Sequence, residues 1–323
     1  MEIQSRPCLV DGMYSVDLMC DSPSLMRNDI RYFHRAPRRS ENSNRSATST
    51  TAWRGGTRKG LDLTIGRPAG STDESSLLRG GILLRSLAVV RPEKTRLVLG
   101  PSLLVDELLS QCGAGSIGEL VNAKWNGDTS ALSTGSEDLP EHSVRFVRKE
   151  KPKTTSSKPP KAPQIFSSPR IGLDLSHPGT TGPKVRPLHS RIRFLPRRYR
   201  YFRDPDSLTA NGRPQTFLGV FNHCLQALIE AKQKTGSKGT SKASDDTAYS
   251  RALKDPKLVA DISNLSGMQI PTVKKYLSSY LEGVEGGEDV VEEFVGSSAK
   301  NSAQSPHNYL RLMGAISTLS LDG

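Results

Sequence analysis

Residues 80–90 read GGILLRSLAVV, an apolar run of strand length with an arginine near its centre. A run of this kind belongs in a core, and an arginine is rarely buried unless it meets an acid, a phosphate or a rim position. Arg85 therefore constrains any fold open to this chain, because something must receive its guanidinium. Neighbouring segments supply partners for the strand. Residues 10–21 (VDGMYSVDLMCD) and 59–66 (KGLDLTIG) alternate apolar and polar side chains as half-buried strands do. Residues 96–113 (RLVLGPSLLVDELLSQCG) predict a strand, a Gly-Pro break and a helix. Pro101 suits the first helical turn, and Leu103, Leu104, Leu108 and Leu109 give an apolar face.

Later segments differ in character. PRIGLDLS (169–176) is a further strand candidate, and RIRFLPRRYRYFRD (191–204) interleaves basic and aromatic residues. Beyond Asp204 the periodicity turns helical: Phe217, Val220, Phe221, Leu225, Leu228 and Ile229 share one face. A Gly/Ser/Lys linker, 235–244, precedes KLVADISNLSGMQIPTVKKYLSSYL (257–281), which has the layout of a helix-turn-helix. Gly267 would make its turn, Val259, Ile262, Val273 and Leu277 its packing face, and Thr272, Lys274 and Lys275 a groove-facing surface. A small helical bundle without DNA contacts gives the same pattern. The expected organisation is a mixed domain over 8–204, a helical module over 214–283 and a polar tail over 284–323. Hydrophobic residues make up 35% of the chain and aromatics 6%, so the stretches 36–52 and 149–163 are expected to be poorly ordered loops.

Charge narrows the choice of partner. Between Ser143 and Arg203 there are 16 Lys/Arg and 2 Asp/Glu, within a chain of net charge +12. An excess of this size points to an anionic partner, DNA first and RNA second, with a solvated basic linker as the plain alternative. Arg191, Arg193, Arg197, Arg198, Arg200 and Arg203 are the candidate phosphate ligands, and Tyr199 and Tyr201 either stack on bases or pack inward. In a strand, Phe194 would face away from its neighbouring arginines, and a charged edge strand protected from aggregation reads the same way. The runs RKEKPK and KPPK fit an import signal and a nuclear setting. The four cysteines, Cys8, Cys20, Cys112 and Cys224, form no C-x-x-C pair, which leaves no zinc site or disulfide framework and suits a reducing compartment. No run approaches membrane-span length and no signal-peptide pattern opens the chain, so no membrane partner is expected; a monomer needing no metal or cofactor is a separate expectation.

Taken in order, VDLMCD, KGLDLTIG, ILLRSL, GPSLL, RIGL and RIRFLPRRYRYF resemble the methylpurine DNA glycosylase family across roughly residues 10–203. That resemblance implies an α+β fold built on a curved antiparallel sheet with few helices. It implies hydrolysis of the N-glycosidic bond of an altered purine flipped out of duplex DNA, as in base excision repair. Asp17 falls at the position of the family's catalytic acid, with Asp21 next in line, and Arg85 falls beside that acid. An Arg85–Asp17 pair across adjacent strands would explain an arginine among apolar neighbours. His34, Met19 and Lys59 fall at base-pocket positions. The chain departs from the family in several places. Its acid is one methylene shorter, Met19 stands where an aromatic is usual, and Lys59 stands where a tyrosine wedges into the duplex. Trp53 or Tyr32 would have to supply the missing rings. The alternative is a non-catalytic nucleic-acid-binding or regulatory protein that keeps the fold.

Overall fold

The computed structural model describes residues 9–19, 31–33, 53, 55–66, 79–127, 163–175, 190–209, 211–235, 253, 255–295 and 299–319. They belong to two units, Met1–Pro163 and Gln164–Gly323. Asp21, His34 and the expected loops at 36–52 and 149–162 lie outside the described residues. The protein is of mixed α+β class, with a small antiparallel sheet and several helices, and among the described residues no sheet is curled.

The first unit is organised around one long strand. Its strands are β1 (Leu9–Met19), β2 (Arg31–Phe33), β3 (Leu61–Gly66), β4 (Arg79–Val90) and β5 (Thr95–Leu99). The order is β2-β3-β4-β1, all antiparallel. On one edge β4 pairs with β3 through residues 79–83 and then with β5 through residues 86–90. On the other edge it pairs with β1, where Val16 faces Leu84 and Ser15 faces Ser86. Arg85 is thus the extra residue of a β-bulge, at the point where β4 exchanges β3 for β5. Burial changes phase there: Gly81 and Leu83 are buried before the bulge, and Ser86 and Ala88 after it. The carbonyl of Arg85 accepts the Gly100 N–H at 2.8 Å, and Gly100 adopts φ 130°, which only glycine tolerates readily. The guanidinium is half-buried. The arginine that looked out of place in an apolar strand therefore marks a bulge and a change of strand partner.

Helix α1 (Pro101–Gln111) starts where Gly100 and Pro101 predict, and Lys59 forms an ion pair with its Asp106. Its buried side is Leu104, Val105 and Leu109, with Leu108 half-buried; Leu103, expected inside, is exposed. A stripe at 104, 105, 108 and 109 keeps to one side of a 3.6-residue helix, and position 103 falls outside it. These side chains join Phe33, Leu61, Ile117, Leu120, Val121 and Trp125 in one core, with Leu84 and Leu87 of β4 against it. Ile117 opens the short helix α2 (Ile117–Glu119), where Ser116 caps the Glu119 N–H. Phe33 stacks on Trp125 and meets Trp53 edge-on, both at 5.9 Å between ring centroids.

The second unit carries the hairpin β6 (Phe166–Ser168) and β7 (Arg200–Phe202), with Ser167 opposite Tyr201. Its helices are α3 (Ser190–Phe194), α4 (Arg213–Thr235), α5 (Pro256–Ser266), α6 (Ile270–Glu292) and α7 (Pro306–Ile316). Gly219 lets α4 lie on the hairpin, since a Cβ there would stand 2.8 Å from the Phe202 ring and 3.1 Å from the Ser167 carbonyl oxygen. Helices α6 and α7 touch backbone to backbone. A Cβ on Gly283 would come within 1.8 Å of the Arg311 carbonyl oxygen, and one on Gly314 within 1.9 Å of that of Tyr280. Helix α6 breaks at Gly287 (φ 50°, ψ −134°), and beyond the break Glu293 takes a two-pronged bond from Arg311, both contacts 2.7 Å. Arg311 and Lys300 hold the Glu293 carboxyl down at about 2.

Four expectations are corrected here. The unit boundary falls at 163/164 and not near 204, so the basic-aromatic segment belongs with the helices. The described part of 284–323, expected as a polar tail, holds core instead: α7 buries Tyr309, Leu310, Leu312, Met313, Ala315 and Ile316. Residues 169–175, the described part of the strand expected over 169–176, do not form a strand; the strand ends at Ser168, and Pro169 and Gly172 (φ 87°) turn the chain away. Residues 191–203 are not one strand, because Pro196 has no N–H for a ladder; a helical turn precedes Pro196, and β7 begins only at Arg200.

The glycine contact yields a clear expectation. Gly283→Ala must push two helix backbones apart and is expected to lower stability by at least about 2 kcal/mol, read from urea unfolding midpoints. Ser278→Ala, on the exposed side of the same helix, is expected to stay within about 0.5 kcal/mol of wild type.

Candidate nucleic-acid interface

From Ser190 to Arg203 the chain carries six arginines and no acid. The fold sorts them by role. Ile192 and Leu195 are buried and anchor α3, while Phe194 between them stays 52% exposed. The chain then doubles back: Arg197 donates its N–H to the Phe194 carbonyl at 3.1 Å, and Tyr199 donates to the Arg197 carbonyl at 2.9 Å. Arg197 and Arg198, at the tip of this turn, are both exposed. In β7 the alternation of a strand turns Arg200 and Phe202 inward and Tyr201 outward, the tyrosine 40% exposed.

Arg200 corrects the expectation that it contacts phosphate. It is 2% exposed, and its Nη1 donates to the Ser168 Oγ at 3.3 Å. Nη1 and Nη2 each donate to the Thr216 Oγ1 at 3.2 Å, and the guanidinium carbon sits 4.4 Å from the centre of the Phe202 ring. Thr216 in turn donates to the Gly212 carbonyl at 3.1 Å. One arginine thus ties β7 to β6 and to the start of α4. Arg203 donates Nε to Asp204 at 2.9 Å, and Arg193 is half-buried. Arg191 lies on α3. Among the residues of this segment whose burial is described, Arg197 and Arg198 are the fully exposed arginines, and the exposed Phe194 and Tyr201 flank them in sequence.

The helix-turn-helix layout is present as backbone geometry. Asp255 caps α5 by accepting the Lys257 N–H at 3.0 Å, and Gly267 adopts φ 64° at its C-terminal end. Ser263 donates to the Met268 carbonyl at 2.6 Å, and α6 begins at Ile270. Ile262, Val273 and Leu277 are buried as expected, whereas Val259 is half-buried and Leu258 takes its place. Lys274 and Lys275 are exposed. The same helix then presents Glu282, Glu285, Glu288, Asp289 and Glu292, and the shallow groove bordered by Lys274, Ser278, Glu282 and Glu285 is mixed in charge. Cys224, buried on α4, has its thiol pushed up to about 12 by burial, with Asp261 adding to the shift, so it is no nucleophile at neutral pH.

In the first unit the backbone register places Asp17 opposite Leu83 of β4, and on the other edge of β4 it places Asp62 opposite the same residue. Met19 falls opposite Gly81. Asp62, on β3, is fully buried, and the sequence reading passed over it. The available signal was an acid in the middle of KGLDLTIG, at a position whose alternation would otherwise put a solvent-facing polar residue. Lys59 is engaged with Asp106, and Trp53 packs in the core against Phe33, so neither stands clear as a wedge. Among the described residues no group of three or more His, Cys, Asp or Glu is placed to hold a metal ion, and no helix is long and apolar enough to cross a membrane. Comparison with protein families, curated proteins and solved structures finds no match to this chain.

The sorting of the arginines is measurable. Arg200→Ala removes a buried donor and leaves a cavity between hairpin and helix; it is expected to cost more than about 2 kcal/mol in chemical unfolding. Arg197→Ala and Arg198→Ala are each expected to cost under about 0.5 kcal/mol.

Proposed function

We propose that this chain binds nucleic acid, DNA in the first instance, through the turn at 194–201. The observation that carries the proposal is the pairing of exposed Arg197 and Arg198 with exposed Phe194 and Tyr201, in a segment without an acid. Two guanidinium groups neutralise successive phosphates, and contacts of that kind hold the backbone in register without reading sequence. The wider basic stretch, 143–203, adds long-range attraction. RKEKPK and KPPK support nuclear residence, and the reading requires only a monomer. The acids along α6 count against the second helix of the helix-turn-helix as the main phosphate-binding face.

The test is the salt dependence of binding to a duplex. Each lost phosphate contact removes about 0.9 from the slope of log affinity against log salt, so Arg197→Ala with Arg198→Ala is expected to flatten it by about 2. A folded double variant with an unchanged slope would remove this turn from the interface.

A second reading, a methylpurine-glycosylase-type hydrolase with a curved sheet core, is favoured by one observation: Asp17 and Asp62 both fall opposite Leu83, close in sequence to the Arg85 bulge. In that reading one of these carboxylates is the general base that activates water, and Arg85 holds it charged. Incubation with duplexes carrying alkylated or deaminated purines tests it. Abasic-site formation by wild type, lost in Asp17→Asn or in Asp62→Asn, supports hydrolysis. No release from any substrate leaves binding alone.

A further inference from the structure

We infer that the 194–201 turn recognises unpaired bases, with Phe194 and Tyr201 as two stacking platforms on either side of the exposed arginine pair; this rests on the nucleic-acid-binding reading above. Both residues keep a large share of their surface open, 52% for Phe194 and 40% for Tyr201. Ile192 and Leu195 bury the inner side of α3 without Phe194, and Arg200 and Phe202 fill the inner side of β7 without Tyr201. Ile165, just before β6, is 61% exposed, and it precedes by two residues the Ser167 that pairs with Tyr201.

Single exposed apolar residues are ordinary on any protein. Here two aromatic rings flank two exposed guanidinium groups, and no acid lies between Ser190 and Arg203. An acidic or purely apolar protein partner would use one half of this arrangement, whereas a single strand uses both, its phosphates meeting cations and its bases meeting rings. The two aromatic positions lie seven residues apart, a span of at most about 25 Å even if fully extended, and the turns at Arg197 and Tyr199 shorten it. At about 3.4 Å per stacked nucleotide that upper limit corresponds to about seven nucleotides. A closed duplex presents its backbone to the same arginines but keeps its bases away from the rings. The geometry therefore favours single strands, duplex ends or flipped nucleotides over intact helix.

The experiment measures the full chain by fluorescence anisotropy against labelled oligo(dT) and a blunt hairpin duplex of matched charge, across a salt series. Wild type is expected to bind the single strand at least tenfold more tightly. Phe194→Ala with Tyr201→Ala is expected to abolish that preference while leaving the salt slope unchanged, and Phe194→Leu with Tyr201→Leu is expected to do the same, since bulk without a π face does not stack. Equal affinity of wild type for both probes would overturn the stacking proposal while leaving nucleic-acid binding in place. So would a leucine pair that retains the preference, because apolar contact would then suffice. No binding to either probe would overturn the underlying reading together with this one.

Discussion

The placement of the whole basic turn depends on one buried arginine. A guanidinium enclosed by protein must have its donors met or it destabilises the fold. Arg200 directs its two terminal amino groups at the hydroxyls of Ser168 and Thr216 and sets its guanidinium carbon 4.4 Å from the centre of the Phe202 ring. Those partners lie on three elements: the two hairpin strands and the first turn of α4. With Arg200 locked inward, strand alternation leaves Tyr201 only the outer side, and the turn before it must project Arg197 and Arg198. The charge of this segment is thus divided by strand geometry between holding the fold and facing outward, a division that a count of arginines conceals.

Local signals were legible in the sequence. Gly100 and Pro101 marked the start of α1, the apolar run at 80–90 gave β4, the face of Phe217, Val220 and Phe221 gave α4, and Gly267 marked the break between α5 and α6. Each rests on near-neighbour chemistry, a turn residue or a period. What was not legible depends on contacts distant in sequence. Arg200 meets Ser168 32 residues away and Thr216 16 residues away. Asp62 is buried by its place in the sheet, although alternation alone would have turned it to solvent. The run HNYLRLMGAIS falls within the segment expected as a polar tail, and it is close packing on α6, where Gly283 and Gly314 meet backbone, that makes it a core helix.

Close helix contact also bears on the helix-turn-helix. The features that define the motif, a left-handed glycine and buried residues on both helices, are also what a packed bundle needs. In this protein α6 buries Val273 and Leu277 and meets α7 backbone to backbone at Gly283, and its later turns carry five acids. The geometry of the motif is satisfied by packing, while the cations that would make it a DNA-reading element are confined to Lys274 and Lys275.

On the proposed reading the outward half of the basic segment, residues 194–201, meets nucleic acid. Hydrogen exchange on the full chain, with and without saturating oligo(dT), tests this most directly by locating the contact without mutation. The account predicts slowed exchange across residues 194–201, with residues 270–278 and strand β1 unchanged. Slowed exchange at 270–278 or in β1, with 194–201 unaffected, would contradict it.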